Sequence, residues 1–201
     1  MQETLLDSDE RHLSKDVPTV VKWAGGKQQL LPQYEKYFPS DINTYFEPFL
    51  GGAAVLFFVM RNGLADEAVG SDVNAGLIET FKVLREQPDK LMDALEELRD
   101  NHSEVEYYKE RGLKTSKTGE LGITDDELRD PENMTPLRRA ARFIYLNKTC
   151  YNGLYRENSD GQFNVPMGDY DNPSVFSEDT FSEAAELLED VDLRHSSYEY
   201  V

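Results

Sequence analysis

Two glycine-punctuated stretches near the N-terminus constrain this chain more than anything else in it: Lys22-Trp23-Ala24-Gly25-Gly26-Lys27 and Phe46-Glu47-Pro48-Phe49-Leu50-Gly51-Gly52. The second stands between a short strand expected over Asn43 to Phe46 and an apolar helix expected over Ala53 to Met60, closed by Asn62-Gly63. A strand, a glycine turn and a helix in that order aim backbone N–H groups and a helix N-terminus at a polar ligand group. Neither stretch has the spacing of a P-loop or of the dinucleotide fingerprint, so neither a nucleoside triphosphate nor a nicotinamide cofactor is the natural ligand. A second strand, Ala68 to Ser71, ends at Asp72, about twenty residues beyond Gly51-Gly52. Doubly wound folds place there a carboxylate that accepts hydrogen bonds from vicinal ribose hydroxyls.

Around these motifs the pattern reads as α/β. Val17 to Val21 is a β-like run leading into the first glycine stretch, and Gln28 to Tyr37 is expected to be helical. Asn74 caps a helix through Leu84, and Pro88 to Asp100 forms another, with Leu91, Leu95 and Leu98 at helical spacing. Gly112 to Asn133 turns polar and reads as a long exposed loop. Thr135-Pro136 is a cap followed by proline at the first helical position, opening a helix with Leu137, Ala141 and Ile144 on its apolar face. Ser177 caps a last helix through Glu189, and Val191 to Val201 reads as a strand.

Composition decides several exclusions. With 201 residues and 39% hydrophobic content the chain can bury one sizeable core. The single Cys150 rules out an internal disulfide and any cysteine-based zinc site, and His12, His102 and His195 lie far apart, so no metal is implied. No stretch has the length of a membrane span or the make-up of a signal peptide, and residues 1–16 read as a mobile tail. A soluble, cytoplasmic protein is expected.

The net charge of −18 argues at first against a polyanionic partner. Acids scattered over the whole chain, with no single acidic block, are equally the mark of a protein adapted to high salt. Local charge is more informative. From Thr135 to Pro166 there are five bases, Arg138, Arg139, Arg142, Lys148 and Arg156, against two acids, Glu157 and Asp160. The three helical arginines are expected to form a solvated face. Beyond the turn Tyr151-Asn152-Gly153, the segments Leu154-Tyr155-Arg156 and Gln162 to Val165 flank a second turn and read as a hairpin. Tyr, Asn and Arg on an exposed hairpin can wedge between bases, pair with base edges and take guanine or phosphate.

Taken in order, these motifs resemble the Dam-type, D12-class, S-adenosylmethionine-dependent DNA adenine methyltransferases over about Val21 to Val201. Lys22 to Lys27 is similar to that family's N-terminal cofactor motif, Phe46 to Gly52 to its glycine motif, and Ser71-Asp72-Val73-Asn74 to its acidic ribose-binding position. Tyr145-Leu146-Asn147 with Tyr151 to Asn158 and Gly161 to Pro166 resembles its DNA-recognition hairpin. The resemblance implies a Rossmann-like methyltransferase sheet from residues 17–85 and 176–201, with residues 86–175 as an inserted helical and hairpin DNA-recognition region. It implies S-adenosylmethionine as cofactor and double-stranded DNA as partner. Trp23, Gly25, Gly26, Lys27, Glu47, Pro48, Phe49, Gly51, Gly52 and Asp72 would bind the cofactor. Lys22, Tyr151, Asn152 and Arg156 would meet DNA.

The family's catalytic Asp-Pro-Pro-Tyr segment has no counterpart, because no two of the nine prolines are adjacent. The resemblance therefore assigns no catalytic residue. It implies a sheet incomplete at its C-terminal side, an isolated chain inactive in methyl transfer, and a complementing C-terminal half as partner. A non-catalytic cofactor- and DNA-binding subunit, or a decayed remnant of such an enzyme, are the competing readings.

Overall fold

The computed structural model describes residues 13–170 and 172–200. Its centre is a three-stranded, wholly parallel sheet in the order β1 (Ile42–Glu47), β2 (Ala65–Asp72), β3 (Val191–His195). Glu47 lies opposite Gly70, and Asp72 opposite His195, so the glycine turn and the acidic strand end come out on one rim. Parallel strands in consecutive order, joined by right-handed connections, put their crossover helices on the same face. Those helices are α2 (Ala54–Arg61) and α3 (Ala75–Glu86). Gly70 makes the close approach possible, since a Cβ there would stand 3.1 Å from both Leu50 and Leu56. The opposite face carries Phe46, 53% exposed, with Glu67, Asp192 and Arg194, also exposed.

Local chemistry accounts for the helices. Before α3, Asn74 Oδ1 accepts from Leu77 N–H at 2.8 Å. Proline opens α4 (Pro88–Asp100), whose Leu91, Leu95 and Leu98 are buried. Thr135 Oγ1 accepts from Arg138 N–H at 3.3 Å at the start of α7 (Pro136–Thr149). Ala141, Ile144 and Tyr145 of α7 join α3 and α4 in one continuous core with the aromatic side chains of α2. The last helix spans Glu178–Leu187, and Ser177 makes no side-chain cap bond to it.

Four expectations change. Val17 to Val21 forms no strand: Val17, Val20 and Val21 are buried, but the segment has no ladder partner, so its apolar pattern records burial and not pairing. Gln28 to Tyr37 is not one helix but a 3-10 turn, a single α turn α1 (Leu31–Tyr34) interrupted by Pro32, and another 3-10 turn. The last strand stops at His195 and gives way to a 3-10 turn over Tyr198–Tyr200. The polar stretch 112–133 is partly built, with α6 (Ser116–Glu120) held by a Thr115/Thr118 capping box and with Thr118 and Ile123 buried. An element not anticipated, α5 (Glu104–Arg111), precedes it. Residues 1–12 of the expected tail lie outside the described residues. Ser14 exchanges two backbone hydrogen bonds with the Asn62 amide at 2.7 and 3.0 Å, and Lys15 pairs with Glu35 at 2.5 Å. No helix among the described residues is long and apolar enough to cross a membrane.

Candidate functional site

The two glycine stretches meet. Trp23, Gly25, Gly26, Lys27, Phe49, Gly51, Gly52 and Asp72 line one cavity of about 300 Å³ at the carboxyl rim of the sheet. A second cavity, of about 450 Å³, lies beside it and shares Trp23, Gly25, Gly26 and Gly52 as its wall. Gly51 has φ +52°, and a Cβ there would sit 2.9 Å from the Trp23 indole, so this turn demands glycine twice over. The indole in turn stacks on Tyr155 of the hairpin at 5.3 Å and faces Phe143 of α7 at 6.3 Å.

Charge in the cavity is arranged in two groups. Asp72 Oδ2 accepts from Gly51 N–H at 3.0 Å and Oδ1 from Asn74 N–H at 2.9 Å, which ties the end of β2 to the glycine turn. Lys27 Nζ bonds Glu47 Oε1 at 2.7 Å and the Phe49 carbonyl at 3.0 Å. Glu47 is only 3% exposed, held by Lys27, the Tyr45 hydroxyl and the Leu56 backbone. Burial pushes its pKa upward, with the Lys27 ammonium pulling the other way. Pro48 follows it half-buried, and of the expected cofactor-binding residues Glu47 and Pro48 do not line this cavity, because they form the strand end and turn behind it.

The expected DNA-facing residues are placed less uniformly. Tyr151 is 55% exposed, and Asn152 is exposed in the left-handed region at φ 55°. Arg156 is exposed, with its Nε bonded across the hairpin to Asn164 Oδ1 at 2.6 Å. The hairpin itself forms, through the Glu157–Phe163 bridge and the Asn164 N–H to Arg156 carbonyl bond of 3.0 Å. Lys22 is half-buried behind it. Its ammonium bonds the Lys148 carbonyl at 3.3 Å and the Tyr170 hydroxyl at 3.1 Å.

The basic run is not a solvated face. Arg139 holds Glu79 through two bonds of 2.6 and 2.7 Å, and Arg138 pairs with buried Glu110. Arg142 donates to the carbonyls of Glu110 and Arg111 at 2.5 and 2.8 Å. Lys148 donates to the Thr19 carbonyl at 3.1 Å, and burial, with Lys22 nearby, lowers its pKa to about 8. These side chains brace α7 against its neighbours, because a half-buried cation needs a carboxylate or carbonyl. Sequence reasoning missed this; it placed Asn147 and Tyr155 only within the segments that resemble the recognition hairpin and gave Phe143 no role. The glycines fix where Trp23 must lie, but no local spacing reveals which aromatic side chain from more than a hundred residues away will meet it. Among the described residues no group of three or more His, Cys, Asp or Glu could hold a metal ion.

The structure is thus an α/β protein whose parallel sheet carries a glycine turn at one strand end and a carboxylate at the next, with a hairpin whose Tyr155 stacks on the cavity-lining Trp23. The chain belongs to the D12 class N6 adenine-specific DNA methyltransferase family, whose sequence profile matches residues 23–201. It is 37% identical over 191 residues to a type II methyltransferase, M.MjaIII, of Methanocaldococcus jannaschii, a match that covers 92% of this chain and 64% of that protein. It is 36% identical over 168 residues to type II methyltransferase M1.LlaDCHI of Lactococcus lactis, covering 83% and 53%. A DNA adenine methylase of Serratia marcescens is 32% identical over 165 residues, covering 80% and 53%. The chain thus spans between about half and two thirds of the length of these relatives.

Proposed function

We propose that this chain is the cofactor-binding and DNA-recognition portion of an enzyme that transfers a methyl group from S-adenosylmethionine to the exocyclic amino group of adenine in DNA. The observation that carries the reading is the convergence of Trp23, Lys27, both glycine turns and Asp72 on one cavity that abuts the hairpin through the Trp23–Tyr155 stack. Membership of a DNA adenine methyltransferase family supports it. In this reading residues 17–85 and 176–201 form a Rossmann-like unit, and residues 86–175 are the inserted recognition region.

The residues present fit the cofactor. Each Asp72 oxygen accepts one backbone N–H and retains lone pairs for the two vicinal hydroxyls of a ribose. Lys27, on the cavity wall and held by Glu47 behind it, suits the carboxylate of the methionine end. The Gly51-Gly52 backbone lets that end approach closely, beside Phe49 and the Trp23 indole. When bound, the cofactor supplies an electrophilic methyl group on a sulfonium. The chain's own residues would orient it and exclude water from one side. Tyr151, Asn152 and Arg156, on exposed turn and hairpin positions, would reach into a groove of the duplex, with Lys22 behind them.

The 201 residues contain no Asp-Pro-Pro-Tyr segment, the part that the family resemblance implies would hold the acceptor adenine. That favours a binding role for the chain by itself, with chemistry completed by a C-terminal half. Two measurements separate the readings. S-adenosylhomocysteine should raise the melting temperature of the chain, and Asp72→Ala should abolish the rise. Tritiated methyl transfer to unmethylated DNA should appear only when a C-terminal half containing the missing segment is supplied. Transfer by the chain alone would overturn the binding-only assignment, and no cofactor binding at millimolar ligand would overturn both readings.

A further inference from the structure

We propose that Asn147 is a positioning residue that locks the cofactor cavity and the recognition hairpin into one register, so that ligands at the two sites tighten each other. The inference rests on the reading above and adds to it a residue that touches neither ligand.

Asn147 lies in the last turn of α7, with no exposed surface. Its side-chain amide is directed at two segments far apart in sequence. Oδ1 accepts from Lys22 N–H at 2.7 Å, and Nδ2 donates to the Lys22 carbonyl at 2.8 Å and to the Gly153 carbonyl at 3.4 Å. Both backbone groups of Lys22 are thus taken by one side chain, as a neighbouring strand would take them. Lys22 directly follows the Val17 to Val21 stretch, which pairs with no strand, and at this one residue the amide replaces a ladder. On the hairpin side, Gly153 has φ +61° and lies so close to Lys22 that an added Cβ would overlap Cδ and stand 2.7 Å from Cβ.

The clamp has consequences on both sides. One residue after Lys22, Trp23 lies against the Gly51-Gly52 turn and stacks on Tyr155. Two residues before Gly153 stands the exposed Tyr151. A shift of the hairpin relative to α7 must therefore carry Lys22 and Trp23 with it, and Trp23 cannot move without disturbing the glycine turn. Close packing on every side makes such a unit respond as a block. The linkage is reciprocal: whatever factor the cofactor contributes to DNA binding, DNA contributes to cofactor binding.

The test uses the whole chain, S-adenosylhomocysteine as the unreactive cofactor probe and unmethylated duplex plasmid fragments as the DNA probe, at one fixed salt concentration. Affinity for each probe is measured with and without saturating amounts of the other, in wild type, Asn147→Asp and Gly153→Ala. Asn147→Asp removes the donor to Lys22 while keeping shape. Gly153→Ala pushes a methyl group against the Lys22 side chain and so displaces the same contact from the hairpin side with the buried amide unchanged, which serves if Asn147→Asp fails to fold. The expected result is a coupling factor of about tenfold in wild type. It should fall toward one in the variants, beyond any change in their affinity for either probe measured alone. A merely structural role would lower the melting temperature and leave the coupling factor alone, which would overturn the proposal. Wild type that binds both probes without coupling overturns this inference only. Wild type that binds neither probe overturns the functional reading as well.

Discussion

Gly51 carries two constraints at once, a left-handed backbone and an indole where a side chain would project. Gly51→Ala should cost about 1–2 kcal/mol in urea denaturation, more than either constraint would alone at a surface turn. Because Trp23 is the only tryptophan, the same variant should shift the intrinsic emission. Lys148 makes a prediction about pH. Its folded pKa, lowered to about 8 by burial and then by Lys22, lies below that of an unfolded lysine, so between those values the unfolded chain binds more protons. Stability should therefore rise with pH from about 8 toward 10, and Lys148→Met should flatten that rise. Above that window the buried tyrosines Tyr107, Tyr145 and Tyr155, whose pKa values burial raises, act in the opposite direction. Melting curves across that range in both proteins check the sign. At this scale the sequence was informative where a motif dictates a position, as for Asp72 at the end of β2. It was silent where a partner arrives from afar, as Tyr155 does at Trp23.

Among the elements, α7 is the strut between the sheet-bearing half and the hairpin, and its arginines carry the load. Glu110 of α5 is buried to 1% exposure and receives Arg138 of α7 together with Arg129 at 3.4 Å. Truncating that carboxylate strands a half-buried guanidinium. Glu110→Ala should cost about 3 kcal/mol, and a paired replacement of Glu110 and Arg138 by leucine should recover much of it, as measured by chemical denaturation. Helices with a long apolar stripe and a proline in the first turn, α4 and α7, were legible before the structure. The helix carrying Glu110 was not, although Ser103 caps it at 3.1 Å and Gly112 closes it at φ +70°. Its apolar positions are only Val105, Tyr107 and Tyr108, too few to mark a period. The error at Val17 to Val21 was the converse, with strand-like residues whose Val17 and Thr19 carbonyls accept from the Gln28 and Lys148 side chains in place of a ladder. The solvated arginine face failed for a third reason: charge spacing along one helix does not reveal acids on the next.

For the whole molecule, a net charge of −18 acts as self-repulsion that every compact state must overcome. Screening removes it, so the melting temperature should climb as potassium chloride is raised from tens of millimolar into the molar range. A flat response would remove the high-salt reading of the composition. The coarse class was legible in full, since alternating strands and helices with glycine at the crossovers leave few other architectures. The size of the sheet and the bare face that shows Phe46 were not, because they depend on strand order.

That strand order also has a kinetic meaning. β1 and β2 are joined by a short crossover, whereas 118 residues separate Asp72 from Val191, so closing β3 onto the sheet costs about 2 kcal/mol more in loop entropy. The far strand must therefore dock after the helices between have collapsed, which makes its registration the slow event in folding. A chain emerging from the ribosome would hold a two-stranded nucleus, with Asp72 already beside its glycine turn, well before β3 arrived to flank it.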